Sequence, residues 1–290
     1  MVGDTGAPGR PATELSEGVR AAYDTSARLW AEGPEPVYAR LARALLAQPL
    51  LTGTLSTGTL STGTLSTEMG AGLAGARVLD LGSGTGVAAR AALAAGARSV
   101  VAADSALGML RRCPGRLHPV AADATALPFR DGCFDLAVAA FCLGHLDRPV
   151  AGLREARRVA GALAASSFAA GWNHPAKAAV DEVLAAFGYR PPSWYVTFKR
   201  DTEPWASDAA ALGRDATAAG YTDVRLRNIT VDTGLSRPAE LAAWRLGMAH
   251  VAPFVGSLTA ARRAELRHAA QDAVAGSGPL VVDMLVLTAR

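Results

Sequence analysis

Residues 78–86 read V-L-D-L-G-S-G-T-G, and no other stretch restricts the fold of this chain as much. An apolar run ends in a tight glycine-rich turn, and an alanine-rich helical pattern opens at Val87. Glycine lets the backbone bend sharply and come close to a ligand without a Cβ clash. A helix starting there offers unpaired N–H groups to whatever sits on the turn. The dinucleotide fingerprint G-x-G-x-x-G would place its third glycine where this chain has Val87. Here the pattern is D-x-G-x-G-x-G, with Asp80 two residues before Gly82. A carboxylate at that point suits a ligand carrying an ammonium group better than it suits a pyrophosphate.

Three more signals follow in order. S-V-V-A-A-D at 99–104 is an apolar strand whose terminal acid, Asp104, lies twenty residues after Gly84. A carboxylate at the tip of a second strand can accept both hydroxyls of a ribose. Met109 and Leu110, one helical turn later, suit the face of a base or ordinary core packing. A-A-D-A-T-A-L-P-F at 121–129 sets Asp123 after the third strand, where it could accept from an exocyclic amine. F-D-L-A-V-A-A-F-C-L-G-H-L-D at 134–147 is a buried strand running into a polar turn. Each acid has a plainer reading: Asp80 and Asp104 could cap helices, and Asp123 could cap a turn.

Around these motifs, apolar runs alternate with amphipathic stretches. Strands are expected at about 77–82, 98–103, 117–121, 134–140 and 162–168, with helices between them. Two late strands, near 224–231 and 280–288, complete a doubly wound, seven-stranded, mainly parallel α/β sheet ended by an antiparallel pair. Two helices are expected before residue 50. Residues 52–66 are three copies of T-G-T-L-S, a period of five that fits neither helix nor strand, so 51–75 reads as a low-complexity flexible linker. The division is then 1–50 helical, 51–75 linker and 76–290 the main domain, with a helical cap at about 172–222 and 237–277.

Composition narrows the function classes. Net charge is +3, and the arginines form scattered pairs and no tract, which argues against a nucleic-acid partner. Lys177 and Lys199 are the sole lysines among 29 basic residues, a bias expected of a GC-rich bacterium. Cys113, Cys133 and Cys142 have no ligand spacing, and no acid cluster suggests a metal. No apolar run reaches the roughly 20 residues of a membrane span and the start has no hydrophobic signal core, so a cytoplasmic protein without a membrane partner is expected.

Taken jointly, the four motifs resemble those of the class I S-adenosylmethionine-dependent methyltransferases, and in particular the ubiquinone/menaquinone C-methyltransferase-like subgroup that includes many natural-product tailoring enzymes. The resemblance covers about 76–168, with a family-like Tyr23-Asp24 in the first helix. It implies a Rossmann-like methyltransferase fold and S-adenosyl-L-methionine as cofactor. It also implies Asp80 and the Gly82–Gly86 loop, with Gly82, Ser83 and Gly84, at the methionine part, Asp104 on the ribose hydroxyls, and Ser105 among the cofactor-binding residues. Asp123 and Ala124 fall at the adenine, Phe141 near the amino acid part, and Tyr23 and Met109 also among the cofactor-binding residues. Relatives often carry P-G-G before the fifth strand, where this chain has R-V-A-G-A.

Methyl transfer needs the acceptor held about 3 Å from the methyl, in line with the breaking bond, with water kept out. An acidic acceptor also needs a base. His145, in the turn after the fourth strand, is the candidate catalytic residue, expected to titrate near the ordinary value of about 6.5. Asp147, His174, His250 and Tyr195 are further candidates; His118 and His268 read as structural and solvated. The expected acceptor is a small hydrophobic molecule of bacterial secondary metabolism, since the N/D-P-P-Y/F/W motif of amine and amide methylation is replaced by A-F-C-L at 140–143 and four of five tryptophans follow residue 170. Two alternatives stay open: a methyltransferase-like enzyme catalysing cyclisation, rearrangement or decarboxylation, and a nicotinamide-dependent oxidoreductase.

Overall fold

The computed structural model describes residues 14–48 and 72–290; the T-G-T-L-S copies lie outside the described residues. Two helices come first, α1 (Glu14–Glu32) and α2 (Glu35–Leu46). The alternating part follows: β1 (Arg77–Leu81), α3 (Val87–Ala94), β2 (Ser99–Asp104), α4 (Leu107–Leu110), β3 (Pro119–Ala121), β4 (Leu136–Ala140), α5 (Pro149–Val159) and β5 (Leu163–Phe168). Beyond it run α6 (Pro175–Ala186), α7 (Ser193–Thr197), α8 (Glu203–Ser207), α9 (Ala209–Ala218), β6 (Arg225–Asp232), α10 (Pro238–Leu246), α11 (Ala252–Ser257), α12 (Ala260–Ala273) and β7 (Val281–Ala289).

The sheet order is β3-β2-β1-β4-β5-β7-β6, with five parallel strands and β7 antiparallel to both neighbours. The last strand of the chain is thus an inner strand, and its residues say why. V-V-D-M-L-V-L-T-A is buried along nearly its whole length, which only a strand covered on both faces can be. β6 carries Arg225, Arg227 and Asn228 outward and takes the edge, where charged side chains discourage further pairing.

Alternate residues serve opposite faces. Val78, Val100, Val138, Val282 and Met284 point into one core with α2, α3, α6, α10 and α12, while Leu79, Ala137, Leu285 and Leu287 meet α5 and α9. Each leucine or valine so enclosed contributes roughly 1.5–3 kcal/mol of burial. Leu73 is fully buried and its N–H donates to the Ala95 carbonyl, so the folded part takes in the end of the expected linker. The expected cap is also redrawn. Leu241, Trp244, Leu266 and Ala270 belong to the sheet core, so α10 and α12 form a layer and not a lid. What covers the carboxyl ends of the strands is α1 against α7, with Leu15, Ala22 and Trp194 in one cluster, followed by a π-helical turn at Phe198–Thr202.

Strand order reverses between β2-β1 and β4-β5, which opens a crevice beyond the carboxyl ends of β1 and β4. The glycine loop leaves β1 there, and Phe141 leaves β4.

Candidate active site

The glycine loop is shaped by contacts as well as by its turn. Gly82, Gly84 and Gly86 all have positive φ, at 61°, 56° and 84°. A Cβ on Gly82 would lie 2.5 Å from Cys142 Sγ, whereas Gly84 faces open space. Gly86 is the N-cap of α3 and has no side chain with which to cap it. Asp80 supplies the missing cap from the strand below, its Oδ2 accepting the Ala89 N–H at 2.8 Å. Burial pushes the Asp80 carboxyl up to about 8, and the side chain is 1% exposed.

The structure gives Asp80 a task beside the one expected of it. Its side chain turns under the loop toward α3 and does not line the cavity in front of it. That bond organises the loop from beneath.

That cavity has a volume of about 420 Å³. Gly82, Ser83, Gly84, Asp104, Ser105, Met109, Asp123, Ala124, Phe141 and Tyr23 all line it, so the other expected cofactor residues are brought together. Asp104 Oδ2 accepts the Gly84 N–H and Oδ1 the Ala106 N–H, both at 2.8 Å. A carboxylate has about four lone-pair sites, so these bonds position Asp104 and leave it room to accept from a diol. Burial raises its pKa, and the backbone donors oppose that rise. Asp123 Oδ1 takes the Thr125 N–H at 2.7 Å, an Asx turn that fixes the Asp123–Ala124 corner. Met109 serves as core and cavity wall at once. Ser83 Oγ is buried with no hydrogen-bond partner among the described residues, an orphan that a polar ligand on the loop would satisfy.

Beyond Tyr23, which the resemblance already implied at the cofactor, the share of the N-terminal helices was not foreseen. Trp30 and Tyr38 line the cavity from α1 and α2. Glu35 accepts from Thr85 Oγ1 at 2.6 Å and from Arg90 Nη2 at 2.6 Å, clamping α2 onto the loop. Asp24 accepts from the Gly108 N–H and ties α1 to α4. Residues so distant in sequence carry no local signal of such contacts.

His145 sits at the junction of this cavity with an inner chamber of about 100 Å³, and both are lined by Tyr23, Tyr38, Phe141 and His145. Its ring stacks on Phe198 with centroids 4.6 Å apart, and its Nε2 lies 3.2 Å from the Tyr23 hydroxyl. Nδ1 is buried with no partner among the described residues. Burial pushes the imidazole down to about 4, which replaces the expectation of titration near 6.5. Of the other candidates, Asp147 lines the outer cavity, and Tyr195 and His250 stack at 3.8 Å in the inner chamber. His174 is spent on α6, accepting the Ala176 N–H at its cap and meeting the Pro279 carbonyl. His118 closes a turn with positive φ, and His268 lies exposed beside Asp272.

Residues 79–162 match the family model described as a methyltransferase domain. The demethylmenaquinone methyltransferase of Mycolicibacterium gilvum (strain PYR-GCK) is 38% identical over 165 residues, 53% of this chain and 72% of that protein. That of Mycobacterium tuberculosis (strain ATCC 25177 / H37Ra) is 35% identical over 167 residues, 54% and 70% of the two chains. Among solved structures, the cyclase SpnF superposes with a TM-score of 0.53 at 20% identity, covering 98% of each chain. Phosphoethanolamine N-methyltransferase 2 of Haemonchus contortus, solved with phosphomonomethylethanolamine and S-adenosylhomocysteine, gives 0.52 at 15% identity, over 96% of this chain and 60% of that one. At such identities the structural likeness speaks for the fold.

Proposed function

Because the chain belongs to the class I S-adenosylmethionine-dependent methyltransferases, we propose that it methylates a small, hydrophobic molecule of bacterial secondary metabolism, in the cytoplasm. The observation that carries this reading is the pair of joined chambers, one built on the glycine loop and one walled by aromatic rings. The arginine bias supports the bacterial setting.

S-Adenosylmethionine supplies an electrophilic methyl on a sulfonium sulfur when bound. The residues present fit it: the open face at Gly84, the orphaned Ser83 hydroxyl and the spare acceptor sites of Asp104 complement its amino acid and ribose parts. Asp123 with Ala124 would meet the base, and Phe141 the chain between. Asp80 keeps the loop in shape from beneath.

The remaining tasks are orientation, exclusion of water and removal of a proton. Helix α1, held by Asp24 to Gly108 and by Trp194 against Gly18, roofs the junction of the chambers. His145 is neutral at ordinary pH, since burial holds it near 4, and so keeps one ring nitrogen as an acceptor. Nε2 lies beside the Tyr23 hydroxyl, and Nδ1 is without a partner among the described residues. A base that weak holds a proton poorly in the resting state. Its part is to accept a hydrogen bond first and the proton only as alkylation places positive charge on the acceptor atom and makes that proton acidic.

The test is product analysis with candidate aromatic acceptors. Stoichiometric S-adenosylhomocysteine with a methylated product is expected. Turnover of an acceptor without S-adenosylhomocysteine would instead support cyclisation, rearrangement or decarboxylation.

A further inference from the structure

The walls of the inner chamber carry an excess of hydrogen-bond donors that no acceptor among the described residues satisfies. Lys177, Lys199 and Arg245 line it, and Glu203 is the one carboxylate among its lining residues. Glu203 is taken by Lys199. Arg245, 4% exposed, pairs through Nη2 with Asp181 at 2.7 Å, but Asp181 lies outside the chamber and its side chain is 55% exposed. Arg245 Nε, Trp244 Nε1 and Ser166 Oγ, all on lining residues, are buried with no partner among the described residues. The first two are donors that cannot accept.

Lys177 is the clearest case. Its ammonium group has three N–H donors, yet it makes no ion pair and no hydrogen bond to an acceptor among the described residues. What it has is the face of Trp172, with Nζ 4.9 Å from the ring centroid. Burial, with the nearby charges of Arg245 and Lys199, pulls it down to about 8, against the opposing pull of the Glu203 and Asp181 carboxylates. The two nearby carboxylates are held by Lys199 and Arg245, so half-burying a third cation beside them is costly unless a further anion joins. The chamber is also flat-walled: Phe168 stacks on Trp172 at 4.6 Å, and Tyr195 stacks on His250.

Resting on the methyltransferase reading of the outer chamber, we propose that the acceptor is a planar ring compound bearing a carboxylate, seated in the inner chamber with that carboxylate paired to Lys177. Its reactive atom then lies at the other end, at the His145 junction that the two chambers share. Lys177 is a specificity-determining residue. It stands apart from the cofactor residues, because it does not line the outer cavity.

The probes are 2-naphthoate and its methyl ester, titrated by calorimetry into the protein alone and into protein saturated with S-adenosylhomocysteine. The wild-type protein should bind the acid at least about tenfold more tightly than the ester, the size of one charge-assisted hydrogen bond. Lys177→Met should abolish that discrimination while keeping S-adenosylhomocysteine affinity, which also shows that the variant is folded. Lys177→Arg should restore most of it. Equal affinity for acid and ester, no binding of either probe, or discrimination that survives Lys177→Met would overturn the proposal. Failure of wild-type protein to bind S-adenosylhomocysteine would strike the outer-chamber reading instead, and the titrations of the protein alone still decide this one.

Discussion

The Tyr23 hydroxyl lies 3.2 Å from His145 Nε2, and this contact joins helix α1 to the turn after β4 across 122 positions of sequence. It places a phenol and an imidazole where the two chambers meet. On the proposed reading these two groups stand nearest to the proton of an acceptor at that junction. His145→Ala should therefore lower turnover by about 10²–10⁴ while cofactor affinity stays within roughly threefold. Turnover equal to wild type would mean that His145 only shapes the chamber.

The pH profile follows from the same burial. A neutral imidazole is the working form, and burial holds its protonation near 4. Activity should be flat in His145's contribution from pH 8 to about 5 and fall as pH drops through about 4. An inflection near 6.5 that His145→Gln removes would show that the ring is solvated. Stability carries the matching sign. With a folded value below the unfolded one of about 6.5, the contribution is present above 6.5 and lost as pH falls toward 4, by at most about 1.4 kcal/mol per pH unit. Urea midpoints of wild type and His145→Gln between pH 7 and 4.5 should diverge accordingly.

Asp80 offers a test with opposite arms. Its Oδ2 caps α3 through the Ala89 N–H, and burial favours the protonated form up to about 8. A folded value raised above the unfolded one means stability is fully present below about 4 and is lost as pH rises through about 8. Asp80→Asn keeps an acceptor without the charge, so it should bind S-adenosylhomocysteine like wild type and resist unfolding better at pH 9. Asp80→Ala strands the N–H and should cost about 1–3 kcal/mol. A tenfold or greater loss of affinity in Asp80→Asn, with the fold intact, would return Asp80 to the ligand's ammonium group.

The alternation of apolar runs made β1, β2, β4 and β5 legible, because each strand's burial is written in its own residues, whereas β3 is short and mostly exposed. The loop after β1 was legible for the same reason, since its glycines answer a local demand for positive φ at Gly82, Gly84 and Gly86. The insertion of β7 between β5 and β6 was not, since antiparallel pairing of the last two strands allows either to lie inside. Only comparison of β7's continuous burial with β6's outward arginines decides it. Asp80 shows a different limit. Its position before the loop was plain, but its direction depends on Gly86 lacking a cap of its own. The Glu35 clamp on Thr85 and Arg90, and Lys177 beside Trp172, are long-range or cap-borne contacts that no local period announces.

The clamp can be checked alone. Glu35→Gln weakens the half-buried pair with Arg90 and leaves the hydroxyl of Thr85 an acceptor still. Solvent screening limits the loss to about 1 kcal/mol or less in thermal unfolding. Because the clamp presses α2 on the loop, S-adenosylhomocysteine affinity should fall alongside, and an unchanged affinity would show that α2 plays no part in shaping the loop.

On the proposed reading the glycine-loop cavity is the cofactor's seat, with Asp104 as its ribose acceptor. Calorimetric titration of S-adenosylhomocysteine into wild type and Asp104→Ala tests it most directly, with thermal melts to confirm that the variant is folded. Two charge-assisted hydrogen bonds are at stake, so affinity should fall by roughly one to three orders of magnitude. A folded Asp104→Ala protein that binds S-adenosylhomocysteine as tightly as wild type would contradict the account.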